Sequence, residues 1–159
     1  VINAIGNGNA ETEWHSCECL YFQATKSTFK HTLIGLITNS ACLINNLHYV
    51  SDIQDFDAEK PILSVTIVNQ HNLNESDLIA QVTKELRQEC GIERLKFIKR
   101  YQIKNALPKN LRISYLPNIE TIWQDDKTIL AGDFTANGSL NAAMLSGKVA
   151  AQAVLAKMA

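Results

Sequence analysis

The chain has 159 residues, 46% of them hydrophobic and 19% charged, with 15 Lys and Arg against 16 Asp and Glu for a net charge of -1. That balance belongs to a folded globular chain. With no basic excess and no acidic run, it offers no footing for nucleic acid. Apolar runs are broken within a few positions, short of the roughly 20 residues a membrane-spanning helix needs.

No secretory signal is visible, and a first residue of Val1 rather than Met reads as removal of something upstream. Cys17, Cys19, Cys42 and Cys90 show no zinc spacing. They read as reduced, buried thiols of a cytoplasmic protein, not as a disulfide framework. His15, His31, His48 and His71 are scattered, and no metal site is expected.

In chain order, residues 1–13 read as a short strand and a Gly/Asn-rich loop. Residues 14–24 are dominated by β-formers, and 31–38, 41–44 and 47–53 continue as apolar runs. Asn39-Ser40 and Asn45-Asn46 are turn candidates between them, which gives an antiparallel meander.

Residues 62–70 alternate cleanly. Leu63, Val65 and Ile67 form a wholly apolar face for the core, and Ile62, Ser64, Thr66 and Val68 point the other way. Residues 74–91 predict a helix with Asn74 as N-cap, acidic residues in the first turn and Gly91 as a left-handed stop. Its apolar stripe is Leu78, Ile79, Val82 and Leu86. Residues 95–103 predict a strand with Leu95, Phe97, Lys99 and Tyr101 on one face, and 104–127 predict loop. The order implies an α+β fold, mainly an antiparallel sheet with helices on one face. Trp14, Tyr21, Phe22 and Trp123 read first as core, and as cavity lining only second.

The last module, residues 128–159, predicts a short strand over 128–131, a turn at Gly132-Asp133, a small polar loop, and a helix from Ser139 to Lys157. Ser139 is the expected N-cap. Leu140, Met144, Gly147, Ala151, Val154, Leu155 and Met158 share a face, and several Ala, Ser and Gly keep the helix thin. A helix N-terminus offers unpaired N–H groups and partial positive charge to a polar, partly anionic group. Asp133 can accept from ribose-like hydroxyls. The same pattern also serves ordinary packing.

Ala131-Gly132-Asp133, Asn137-Gly138-Ser139-Leu140-Asn141-Ala142-Ala143, Ser146-Gly147-Lys148 and Ala150-Ala151 resemble the C-terminal flavin motif of the amine oxidase superfamily. Ala142 stands where that family often has Gly. Upstream, Trp14-His15-Ser16 and Cys19-Leu20-Tyr21-Phe22 resemble a strand of phytoene-desaturase-like FAD-dependent oxidoreductases. Asn45–Ile53, Ile62–Val68 and Ala106-Leu107-Pro108 follow the same order of features, so the likeness spans nearly the whole chain.

The resemblance implies FAD as cofactor. It implies Asp133 on the ribityl chain, the Leu140 N–H at flavin O2 with Ser139 beside it, and close approach at Gly132 and Ala143. It leaves the catalytic residues unassigned. It divides the chain into the end of an FAD-domain segment (1–13), a substrate-binding-type α+β domain (14–127) and a C-terminal strand and helix completing an FAD-binding domain (128–159).

The Gly-x-Gly-x-x-Gly fingerprint that seats the FAD pyrophosphate is missing, since Gly6-Asn7-Gly8 is followed by Glu11. Val1–Ile5 resembles the strand that precedes the family's substrate domain. The expectation is therefore a fragment, inactive alone, of an oxidoreductase or desaturase. Its partners would be a small apolar substrate and the N-terminal FAD-binding half of the same protein, and peripheral membrane contact stays open. The alternative is a standalone α+β binding or interaction domain without catalysis.

Overall fold

The computed structural model describes residues 13–29, 33–50, 60–109 and 113–158. Five strands form one sheet in the order β2-β3-β4-β1-β5. They are β1 (Trp14–Gln23), β2 (Gly35–Leu36), β3 (Ile44–Tyr49), β4 (Ile62–Ile67) and β5 (Lys96–Pro108). The pairs β1–β4, β2–β3 and β3–β4 are antiparallel. Two helices, α1 (Glu75–Cys90) and α2 (Leu140–Met158), complete the α+β fold expected from the sequence. No helix among the described residues is long and apolar enough to cross a membrane.

The alternation in β4 works as predicted. Leu63, Val65 and Ile67 are at most 1% exposed. The register aligns Tyr49, Leu63 and Phe22 in one row and Leu47, Val65 and Leu20 in the next. Helix α1 adds Leu78, Val82 and Leu86 to the same cluster, while Ile79 packs at its edge. Each fully buried aliphatic side chain contributes about 1.5–3 kcal/mol. Asn74 caps α1, its Oδ1 accepting from the Asp77 N–H at 2.9 Å. Gly91 ends the helix at φ 64, with its N–H on the Arg87 carbonyl.

Three expectations change. Asn45-Asn46 is not a turn. Ile44 faces Ile67 and Asn46 faces Thr66, so Asn45 is the extra residue of a β-bulge. The bulge lets Ile44 and Leu47, three apart, both face the core. The run expected over 31–38 yields a strand only at Gly35–Leu36, with Leu33, Ile34 and Leu36 exposed; residues 31 and 32 lie outside the described residues, as do 1–12 and 51–53.

Third, Phe97 and Tyr101 do not share a face. Phe97 stacks edge-on against Phe22 in the core, whereas Tyr101 meets Tyr21, which points to the opposite side of β1. The alternation of β5 therefore shifts between them. The strand also runs on to Pro108, through residues expected to be loop.

One carboxylate is buried and a second half-buried. Glu85 of α1 is 3% exposed. It accepts from the backbone N–H groups of Leu43 (3.0 Å) and Ile44 (3.1 Å) and from Gln81 (2.8 Å), tying the helix to the start of β3. Glu18, on the inward face of β1, accepts both prongs of Arg100 at 2.7 and 2.9 Å. That guanidinium holds the Glu18 carboxyl below its ordinary range.

The chain divides into two compact units, one of Ser16–Lys104 and one formed by the residues on either side. Residues 113–127, grouped by sequence with the sheet, belong to the second unit. Hydrogen bonds from the Ser114 N–H to the Ala136 carbonyl and from the Leu130 N–H to the Ile122 carbonyl tie them to the terminal module.

Candidate functional site

The turn before α2 is built by short-range hydrogen bonds. Residues 128–131 do not form the expected strand: Ile129 makes only an isolated bridge to Trp123. A strand needs a ladder partner, and Trp123 is the one present among the described residues. The 3-10 turn Asp133–Thr135 follows, closed by Thr135 N–H and Oγ1 on the Gly132 carbonyl at 3.1 and 2.7 Å. A Cβ on Gly132 would collide with the Phe134 ring, so the space that the missing side chain leaves is filled by the chain itself.

Ser139 caps α2 as its position predicts, with Oγ accepting from the Ala142 N–H at 3.2 Å. The same hydroxyl donates to Asn137 Oδ1 at 2.6 Å, and Asn137 in turn donates to the Ser114 carbonyl at 2.8 Å. The backbone N–H groups of Leu140 and Asn141, at the first turn, have no acceptor among the described residues. Nor does the half-buried Asp133 carboxylate have a hydrogen-bond partner there. Gly132, Asp133, Ser139, Leu140 and Ala143 thus sit on one turn and one helix start, with a donor at Leu140 and an acceptor at Asp133 that have no partner among the described residues.

Helix α2 buries a different face from the one its large residues suggest. Ala142, Ser146 and Ala150 are buried, at four-residue steps, while Leu140, Met144, Leu155 and Met158 are 67–80% exposed. Small residues permit close approach on the inner side, and nothing described covers the outer stripe. Ser146 was legible only as a thin position. It accepts from the Gly132 N–H at 2.8 Å and donates to the Ala143 carbonyl at 2.8 Å, locking the turn to the helix.

The sheet contributes a second surface. On the face away from α1, Cys19, Tyr21, Ile62, Ile98, Tyr101 and Ile103 line a depression of about 420 Å³. Tyr21 and Tyr101 meet edge-to-face with centroids 5.8 Å apart. Of the four aromatics singled out in the sequence, Tyr21 is here, Phe22 is core, Trp14 is half-buried, and Trp123 lies under the Lys157 ammonium at 4.4 Å. Tyr101, placed by the sequence pattern on the face of Phe97, reaches this surface because the alternation of β5 shifts between the two. The four cysteines are free thiols, and no described group of His, Cys, Asp and Glu could hold a metal.

Comparison with known protein families and with curated proteins finds no match. Among solved structures, the fold matches a protein provisionally assigned as a protoporphyrinogen oxidase from Exiguobacterium sp. 255-15, with TM-score 0.64 and 13% identity. It also matches an oxidoreductase from Methanosarcina mazei, with TM-score 0.59 and 11% identity. Each match covers 93% of this chain but only 36% and 35% of those chains. The chain therefore has the fold of about a third of each of these oxidoreductases.

Proposed function

We propose that this chain is the C-terminal part of an FAD-dependent oxidoreductase of the amine oxidase and phytoene desaturase type. The observation that carries the reading is the start of α2, with Leu140 and Asn141 N–H groups behind the Ser139 cap and an Asp133 carboxylate in the preceding turn, none of which has a hydrogen-bond partner among the described residues. That donor and acceptor set fits the two needs of a flavin: anion-stabilising N–H groups for its pyrimidine edge, and an acceptor for ribityl hydroxyls. When bound, FAD takes a hydride or its equivalent from the substrate; the protein contributes orientation and electrostatics.

In this reading Asp133 anchors the ribityl chain, Leu140 N–H and Ser139 stand at the pyrimidine edge, and Gly132 and Ala143 keep the approach narrow. The open sheet face with Tyr21, Tyr101 and three isoleucines would wall the cavity for a small apolar substrate. The exposed stripe of α2 supports a partner in the same polypeptide, the N-terminal FAD-binding half, because contiguous exposed apolar surface marks an interface. The compartment proposed is the cytoplasm, with the membrane met only peripherally by an apolar substrate's host lipid.

The test is to read the gene upstream of Val1 and to express the extended protein. An upstream Gly-x-Gly-x-x-Gly and a yellow, FAD-containing extended protein are expected, with the 159-residue chain alone colourless and inactive. Asp133→Ala in the extended protein should weaken FAD retention by about ten-fold, the loss of one or two charge-assisted hydrogen bonds. A stop codon directly upstream, or an extended protein without flavin, would leave a standalone binding domain instead.

A further inference from the structure

A second pocket, of about 340 Å³, opens where the start of β1, the end of β4 with the residues after it, and the middle of β5 meet. Its volume is at the lower end of small-molecule sites. Ser16, Glu18, Asn69, His71, Gln102 and Lys104 supply its polar wall, with Ile67, Val68 and Ile103 between them. None of these residues belongs to the turn and helix start described above.

His71 is the feature that demands a ligand. Its side chain is only 8% exposed, yet Nε2 makes no hydrogen bond. Nδ1 accepts from the Leu73 N–H at 3.3 Å, so in the neutral ring the proton sits on Nε2, a buried donor on a residue that lines the pocket. Glu18 Oε1 lies 3.5 Å away, an ion-pair distance if the ring is protonated but no hydrogen bond, and it already holds Arg100 and Gln102, at 2.9 and 3.3 Å. A buried donor left unpaired costs about 1–3 kcal/mol, and the cost is recovered when a ligand brings an acceptor.

The charges narrow the class. Arg100 answers Glu18 with a bidentate pair, so neither attracts a further ion. Lys104 remains, with no ion-pair partner among the described residues. One uncompensated positive charge suits a monoanion. A dianionic phosphate would leave half its charge facing Glu18. Ile67, Val68 and Ile103 suit a short carbon skeleton. We infer that this pocket binds a small organic monocarboxylate, one oxygen taking the His71 Nε2 proton and the charge met by Lys104.

The inference is independent of the flavin reading. The full 159-residue chain is titrated with sodium butyrate while the His71 ring and nearby amides are followed by NMR. Saturable shifts are expected, with a Kd on the order of 1 mM. His71→Asn keeps an acceptor for the Leu73 N–H but removes the Nε2 donor, and should weaken binding at least about ten-fold. Lys104→Met, at an exposed position that the fold does not need, should do the same, and so should replacing butyrate by its uncharged methyl ester. Failure to saturate overturns the site. Unchanged affinity in Lys104→Met, equal binding of the ester, or inorganic phosphate binding as tightly as butyrate overturns the assignment of a monocarboxylate.

Discussion

The sheet unit and the terminal unit bury very different things. In Ser16–Lys104 the core is large: Leu20, Phe22, Leu47, Tyr49, Leu63, Val65, Leu78 and Leu86 are each at most 1% exposed and belong to one cluster. In the unit that holds α2 the buried described residues are Ile122, two prolines, three alanines and a serine, and Ile113, Tyr115, Leu116, Leu140, Met144, Leu155 and Met158 are exposed. Apolar burial is the main favourable term in folding. The first unit therefore carries its stability within itself, while the second presents the kind of surface that is stable when covered.

That contrast can be broken at several points. The largest effect should come from Leu20→Ala, which opens a cavity between two sheet rows. About 3 kcal/mol of unfolding free energy should be lost, read from the urea midpoint; a loss under about 1 kcal/mol would mean that the sheet core is not the stabilising element. Glu85→Ala should follow, at about 2 kcal/mol, because it strands the Leu43 and Ile44 N–H groups, while Glu85→Gln should recover part of the loss.

A smaller effect should appear with pH. Arg100 lowers the folded Glu18 value below the unfolded one of about 4.3. The folded state thus binds fewer protons, so this stabilisation is present above the unfolded value and is lost as pH falls through the folded one. Glu18→Gln should flatten the acid limb of a plot of urea midpoint against pH; an unchanged limb would assign acid sensitivity elsewhere. The smallest effect should be that of Leu155→Lys on the outer stripe of α2, within about 0.5 kcal/mol for this chain. The same change in an extended protein should weaken the association of α2 with its cover, and equal tolerance there would remove the contrast between the units.

Local chemistry was legible in the sequence. The Asn74 and Ser139 caps, the Gly91 stop and the inward face of β4 each depend on neighbours a few residues away, and the structure places them as the pattern predicts. Asn45-Asn46 misled because asparagine suits turns and bulges alike; the three-residue spacing of Ile44 and Leu47 was the available clue. Glu18 was also within reach, since alternation puts it on the same face as Leu20 and Phe22. Its partner Arg100 lies 82 residues away, beyond any periodicity. The face chosen by α2 was hidden for a different reason: the sequence shows an apolar stripe, but which side is covered depends on what lies against it.

Glu85 and Glu18 also differ in how they can change over generations. Glu18 answers a side chain, so a charge exchange with Arg100 is a conceivable pair of compensating substitutions. Glu85 mainly answers main-chain N–H groups, and the main chain does not mutate. A loss at position 85 has no complementary second-site replacement at Leu43 or Ile44. Among distant homologues, a carboxylate or its amide should persist at this place in the helix while the residues that it supports drift freely.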